Sequence, residues 1–151
     1  MVGVEIVLVV QDSLAALELY EQIFQVERVE VTAFPKGSNE AVFTIYGVRF
    51  HLLDENPEYQ LQAPGAEGVR SLSFNVLVPD IEETFAKALK AGCTQVQPVT
   101  PIPELGVSSA SFFDPFGYHW LLHQVHREVS FEERVQIWEE RIQGGNQEDG
   151  K

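Results

Sequence analysis

The chain has 151 residues, 44% hydrophobic and 22% charged, which fits one globular domain long enough to bury a core. Its 10 Lys and Arg against 23 Asp and Glu give a formal net charge of −13, a field that repels phosphate backbones and anionic lipid, so neither nucleic acid nor a membrane is an expected partner. The run VGVEIVLVV is too short to span a bilayer and carries Glu5, and the single cysteine, Cys93, allows no intrachain disulfide or thiolate metal cluster; a cytoplasmic protein with Cys93 as a small core residue is expected.

In chain order, that apolar run is a strand, followed by a helix capped by Asp12 with the stripe Ala16, Leu17, Tyr20, Ile23 and Phe24. Three strand-like runs come next, VERVEVTAF, EAVFTIY and VRFHLLD, and then a loop, DENPEYQLQAPGAEGV, punctuated by Pro57, Pro64 and Gly65. The segment FNVLVPDIEETFAKALKAG repeats the plan. Asp80 caps, Glu83 completes a capping box, Ile81, Phe85, Ala88 and Leu89 form the stripe, and Gly92 stops the helix; the strand-like runs TQVQPVT, SSASFF and YHWLLHQ follow. The two capping aspartates are 68 residues apart (80 minus 12). Under that offset Val4, Ile6, Leu8 and Val10 match Leu72, Phe74, Val76 and Val78, one buried face in each copy. The other parity gives Glu5, Val7 and Val9, then Ser73, Asn75 and Leu77, a mixed face suited to a cavity. Each half is thus β-α-β-β-β, and one helix covers only one face of four strands, leaving the other for a ligand or a partner.

A terminal helix is expected over about 130–142, with a Ser130/Glu133 capping box and the stripe Phe131, Val135, Trp138 and Ile142 docked on the domain or on a second subunit. Glu132, Glu133, Glu139 and Glu140 are its solvated face, and residues 143–151 are expected to be a disordered polar tail. Before that helix, FFDPFGYHWLLHQVH holds three histidines. On a helix His119 and His123 would share a metal-binding face, but DPFG is turn chemistry and WLL suits a strand. Four strand residues span about 13 Å, so the two share a face but not one ion, with Leu121 between them. Trp120, of opposite parity, belongs to the core.

The paired pattern, with VVQDSLAALELYEQIF opening the first half and DPFGYHWLL closing the second, resembles the glyoxalase/bleomycin-resistance/dioxygenase superfamily, the vicinal oxygen chelate fold. DPFG, a Trp three residues after its Gly, and the VSFEER helix start resemble the PhnB-like branch. The resemblance implies an α+β fold: two βαβββ modules, about 1–55 and 69–126, forming a curved mixed sheet around a cavity, plus the C-terminal helix, in a single domain over 1–142. It also implies a homodimer. Metal-using members of this superfamily place four ligands on the cavity faces of the first and last strands of each half. Taking the positions seven residues before each capping Asp, and aligning Gly47 with Gly117, those positions here are Glu5, His51, Ser73 and Leu121, where the family pattern would have His at 73 and Glu at 121. A serine and a leucine are poor ligands for a divalent ion.

The expectation is therefore a small-molecule-binding protein with no metal site and no cofactor, its ligand contacts drawn from Glu5, Arg49, His51, Ser73, Asn75, His119, Leu121 and His123. The alternative is a metal-dependent lyase, isomerase or dioxygenase that holds a divalent ion through Glu5 and His51. Glu5 has two readings. It pairs with Arg49 or His51 as a polar cavity pair, or it sits in an apolar pocket with a raised pKa and serves as a catalytic general base. Asn75, a polar amide on an otherwise apolar strand, needs a partner.

Overall fold

The computed structural model describes residues 1–149, with the side chains of 146–149 left aside. Strand β1 (Ile6–Val10), helix α1 (Ser13–Ile23), and strands β2 (Val26–Val31), β3 (Glu40–Ile45) and β4 (Val48–Asp54) form the first module. Strand β5 (Ser73–Leu77), helix α2 (Ile81–Lys90), and strands β6 (Thr94–Ile102), β7 (Val107–Phe113) and β8 (His119–Val125) form the second. Helix α3 (Phe131–Asp149) follows. Each module keeps its own four-stranded mixed sheet, in the orders β1-β4-β3-β2 and β5-β8-β7-β6, with the first pair parallel and the rest antiparallel. The architecture is the α+β pairing of two βαβββ units that the sequence implies.

The capping residues act as expected. The Asp12 carboxylate accepts from Ala15 N, Asp80 from Glu83 N, and the Ser130 hydroxyl from Glu133 N, each at 3.1 Å, satisfying backbone donors that a helix start leaves unpaired. Glu83 does not close its box, because its carboxylate is drawn forward to Lys87 at 2.9 Å. In the DPFG turn Gly117 takes φ +95°, and a Cβ there would lie 2.9 Å from Pro64 Cβ. The inter-module loop can close on this turn only because the position is glycine.

The helix-facing parity of both sheets is buried in one continuous core. Fully buried Trp120 is its centre, with ring centroids 4.9 Å from Phe74, 5.0 Å from Phe24, 5.2 Å from Tyr20 and 5.9 Å from Phe50, so both modules and α1 meet on one indole. A buried carboxylate supports it. Asp114 accepts from Tyr20 OH at 2.6 Å, Trp120 Nε1 at 2.9 Å, and the backbone N–H groups of Phe116 and Tyr118 at 2.8 and 3.1 Å. Burial still pushes its carboxyl above the ordinary aspartate value. Asp54, held by Ser13 N, Gly37 N and Asn39 N at 2.7–2.9 Å, goes the other way: burial opposes ionisation, but the three backbone donors win and its pKa falls. Cys93 is buried and its thiol is pushed up to about 12.

Two local expectations are corrected. The buried parity was read from Val4 and Leu72, yet these are 94% and 47% exposed: each precedes the first paired residue of its strand, Ile6 and Ser73, and so has no helix above it. Helix α3 runs to Asp149 rather than 142, because no proline interrupts its backbone hydrogen bonding and the two glycines at 144 and 145 weaken a helix without blocking it; residues 150 and 151, the rest of the expected tail, lie outside the described residues. The side of α3 turned to the domain is also not the apolar stripe. Arg134 and Trp138 border the second sheet and Arg141 pairs with Glu104, while Phe131 and Ile142 stay 66% and 63% exposed.

Candidate functional site

Strand parity sets the site. Opposite to buried Phe50, Leu52, Phe74, Val76, Trp120 and Leu122, each sheet presents a face that no helix of its module covers, and all eight residues singled out from the sequence lie on these open faces. Pairing of β1 with β4 sets Ile6 against Phe50 and Val7 against His51; pairing of β5 with β8 sets Phe74 against Trp120 and Asn75 against Leu121. The same register in both modules makes Glu5 and Arg49 the counterparts of Ser73 and His119, and His51 the counterpart of Leu121. Among the described residues no hydrogen bond or ion pair joins the two groups; each is gathered within its own module.

The first open face carries a charged cluster. Glu5 Oε2 accepts from Arg49 Nε at 2.8 Å and Glu5 Oε1 accepts from His51 Nδ1 at 2.9 Å. The other ring nitrogen of His51 is buried without a hydrogen bond, 3.5 Å from the Glu40 carboxylate. Sequence reading missed Glu40, although β3 pairs with β4 so that Val42 sits against His51 and Glu40 is its diagonal neighbour. The Arg49 hydrogen bond, and then that of His51, hold Glu5 below the ordinary carboxylate value. The general-base reading of Glu5 is thereby corrected: the expected raised pKa needed an apolar pocket, and the carboxylate instead lies between two donors, which makes it a weaker base.

The second open face is neutral. Ser73 Oγ lies 2.6 Å from His119 Nδ1, and His123 Nδ1 lies 2.5 Å from Asn75 Oδ1, the partner that Asn75 required. Leu121 sits between the histidines and offers no donor atom. Burial lowers the pKa of both rings, that of His119 with help from Arg70, whose guanidinium lies 5.1 Å from the Phe113 ring against which His119 also packs. The third histidine, His126, is apart, with Nε2 2.9 Å from the hydroxyl of Ser108. A cleft of about 740 Å³ opens between this face and α3, bounded by Asn75, Leu77, His123 and Val125 on the sheet and by Arg134 and Trp138 on the helix. No local pattern places a residue so far down the chain over this sheet.

The superfamily's metal sites need oxygen or nitrogen donors at all four strand positions, and this set does not fit. Glu5 is held by a guanidinium, Leu121 has no donor atom, and among the described residues no group of three or more His, Cys, Asp or Glu side chains is gathered for an ion. Nor is any described helix long and apolar enough to cross a membrane.

Residues 4–122 match the Glyoxalase/Bleomycin resistance protein/Dioxygenase superfamily. The chain is 30% identical over 132 residues to an uncharacterized protein of Mycobacterium bovis, covering 83% of this chain and 85% of that one. Among solved structures it is similar to the fosfomycin resistance protein FosX from Listeria monocytogenes complexed with Mn(II) and sulfate (TM-score 0.65, 18% identity, 91% of this chain and 98% of that chain). It is also similar to a PhnB protein from Bacillus cereus (TM-score 0.63, 20% identity, 82% and 100%). With the paired modules, their common register and this match over most of its length, the chain belongs to the glyoxalase/bleomycin resistance protein/dioxygenase superfamily.

Proposed function

We propose that the chain binds a small organic molecule on the open faces of its sheets without a resident metal ion, as a cytoplasmic homodimer. The observation that carries this reading is the pairing at the four strand positions: Glu5 is committed to Arg49 and His51, and its counterpart in the second module is a serine bonded to a neutral histidine. A second subunit is supported by the open faces and by the exposed Phe131 and Ile142 of α3, surfaces that association would cover. A place in the PhnB-like branch is supported by the DPFG turn with its buried Trp120 and by the likeness to the Bacillus cereus fold. The net charge of −13 favours neutral or cationic ligands over anions. Because Arg49 neutralises Glu5, cation recognition at that residue is weak and a neutral amphipathic molecule fits best.

Elemental analysis of protein purified without chelator tests the metal half of the reading. The expected result is no stoichiometric Zn, Ni, Mn or Fe. About one ion per chain, lost in Glu5→Ala or His51→Ala, would favour the metal-dependent lyase, isomerase or dioxygenase instead.

A further inference from the structure

We infer that the cleft between α3 and the second sheet takes a neutral, flat molecule bearing a lactam or carboxamide edge, read by His123 and Asn75 and covered by Trp138. This rests on the small-molecule reading above and names the ligand chemistry.

Hydrogen-bond polarity leads to the ligand. Asn75 Oδ1 can only accept, so the contact at 2.5 Å places the single proton of the neutral His123 ring on Nδ1. His123 Nε2 then offers a lone pair, and the Asn75 Nδ2 group keeps its N–H donors, with no protein partner for either among the described residues. Turning the amide over would invert both roles together, so either orientation displays one donor and one acceptor side by side. The complement is a group with an adjacent N–H and C=O. A carboxylate offers no donor and an ammonium no acceptor.

The rest of the cleft sets the body of the ligand. Leu77 and Val125 reach it 58% and 46% exposed, and Trp138 faces them from α3 at 41%. An aromatic ring would lie between an indole and aliphatic side chains, burying apolar surface on both sides. Charge at the margin balances: Arg127 and Arg134 are matched by Glu128 and Glu133. Arg127 is also committed to the carbonyls of Pro103 and Glu104. A volume of about 740 Å³ suits a molecule of drug-like size, and the polar pair at the sheet end would fix its orientation.

The test uses the full chain and two probes, isoindolin-1-one and its N-methyl derivative, titrated while amide and indole resonances are followed by NMR. The lactam should shift the Trp138 indole and the backbone amides of Asn75 and His123, and the N-methyl compound, lacking the donor, should bind about tenfold more weakly. His123→Phe should abolish that preference. Trp138→Ala, on a helix outside both sheets, should weaken both probes and serves where the strand variant does not fold. Equal binding of the two probes, or shifts confined to the Glu5, Arg49 and His51 face, would overturn this inference and leave the small-molecule reading standing. No shift on either open face with either probe at millimolar concentration would overturn the inference, and failure of a wider panel of neutral and cationic aromatics would overturn the small-molecule reading as well.

Discussion

Replacing Asp114 with alanine removes the acceptor that Tyr20 OH and Trp120 Nε1 share. Both donors are on fully buried side chains, and each one left without a partner costs about 1–3 kcal/mol; loss of two turn contacts to backbone N–H adds to this. Part of the loss is returned, because the buried carboxylate is itself costly, as its raised pKa shows. A net loss of about 4 kcal/mol is a large share of the stability of a domain this size, and at about 2–4 °C per kcal/mol the Tm should fall by about 8–16 °C. Differential scanning calorimetry on Asp114→Ala and Asp114→Asn, the latter keeping one acceptor oxygen and losing less, measures it directly. The pH dependence has a definite sign. A folded-state pKa above the unfolded one means that the native state holds the proton longer, so wild type should gain stability relative to Asp114→Asn as pH falls through the folded value. A drop in Tm below about 3 °C for the alanine variant would refute the role given to this carboxylate as the joint between the modules.

Tyr118→Phe removes a hydrogen bond at 2.8 Å to the carbonyl of Val9, which ties β8 to β1, and should cost about 1 kcal/mol, or about 2–4 °C in Tm; an unchanged Tm would show that water replaces it. Glu5 has a depressed folded pKa, so its contribution to stability is complete above the unfolded carboxylate value and is lost as pH falls through the folded one. Urea titrations should show Glu5→Gln less stable than wild type at neutral pH and equal to it in acid, and a gap that widens in acid would contradict the pairing with Arg49 and His51. Truncation before Ser130 should turn the proposed dimer into a monomer on light scattering while changing the Tm by only a few degrees, since α3 presents Phe131 and Ile142 to solvent; a dimer that survives truncation would move the interface elsewhere.

Features that depend on near neighbours were legible in the sequence. Asp12, Asp80 and Ser130 cap the helices that follow them, Gly117 takes the turn conformation that DPFG demands, and the alternation through Phe74 to Val78 and through Trp120 to Leu122 names the buried face of each strand. The offset of 68 residues between the aspartates, with the match of Gly47 to Gly117, was enough to align the modules in the register the strands adopt. Parity, however, tells which face a side chain is on and not what it meets there. Glu5 finds Arg49 and His51 44 and 46 residues away, Asn75 finds His123 48 residues away, and Asp114 receives the hydroxyl of Tyr20 across 94. Such partners are chosen when sheets and helices pack, and each one decides whether a carboxylate is a base, a paired ion or a structural joint. The place of α3 is of the same kind. Its stripe was visible as a local pattern, but only the tertiary structure puts Trp138 over the second sheet and leaves Phe131 and Ile142 in solvent, because the rotation of a helix about its axis is set by what it packs against.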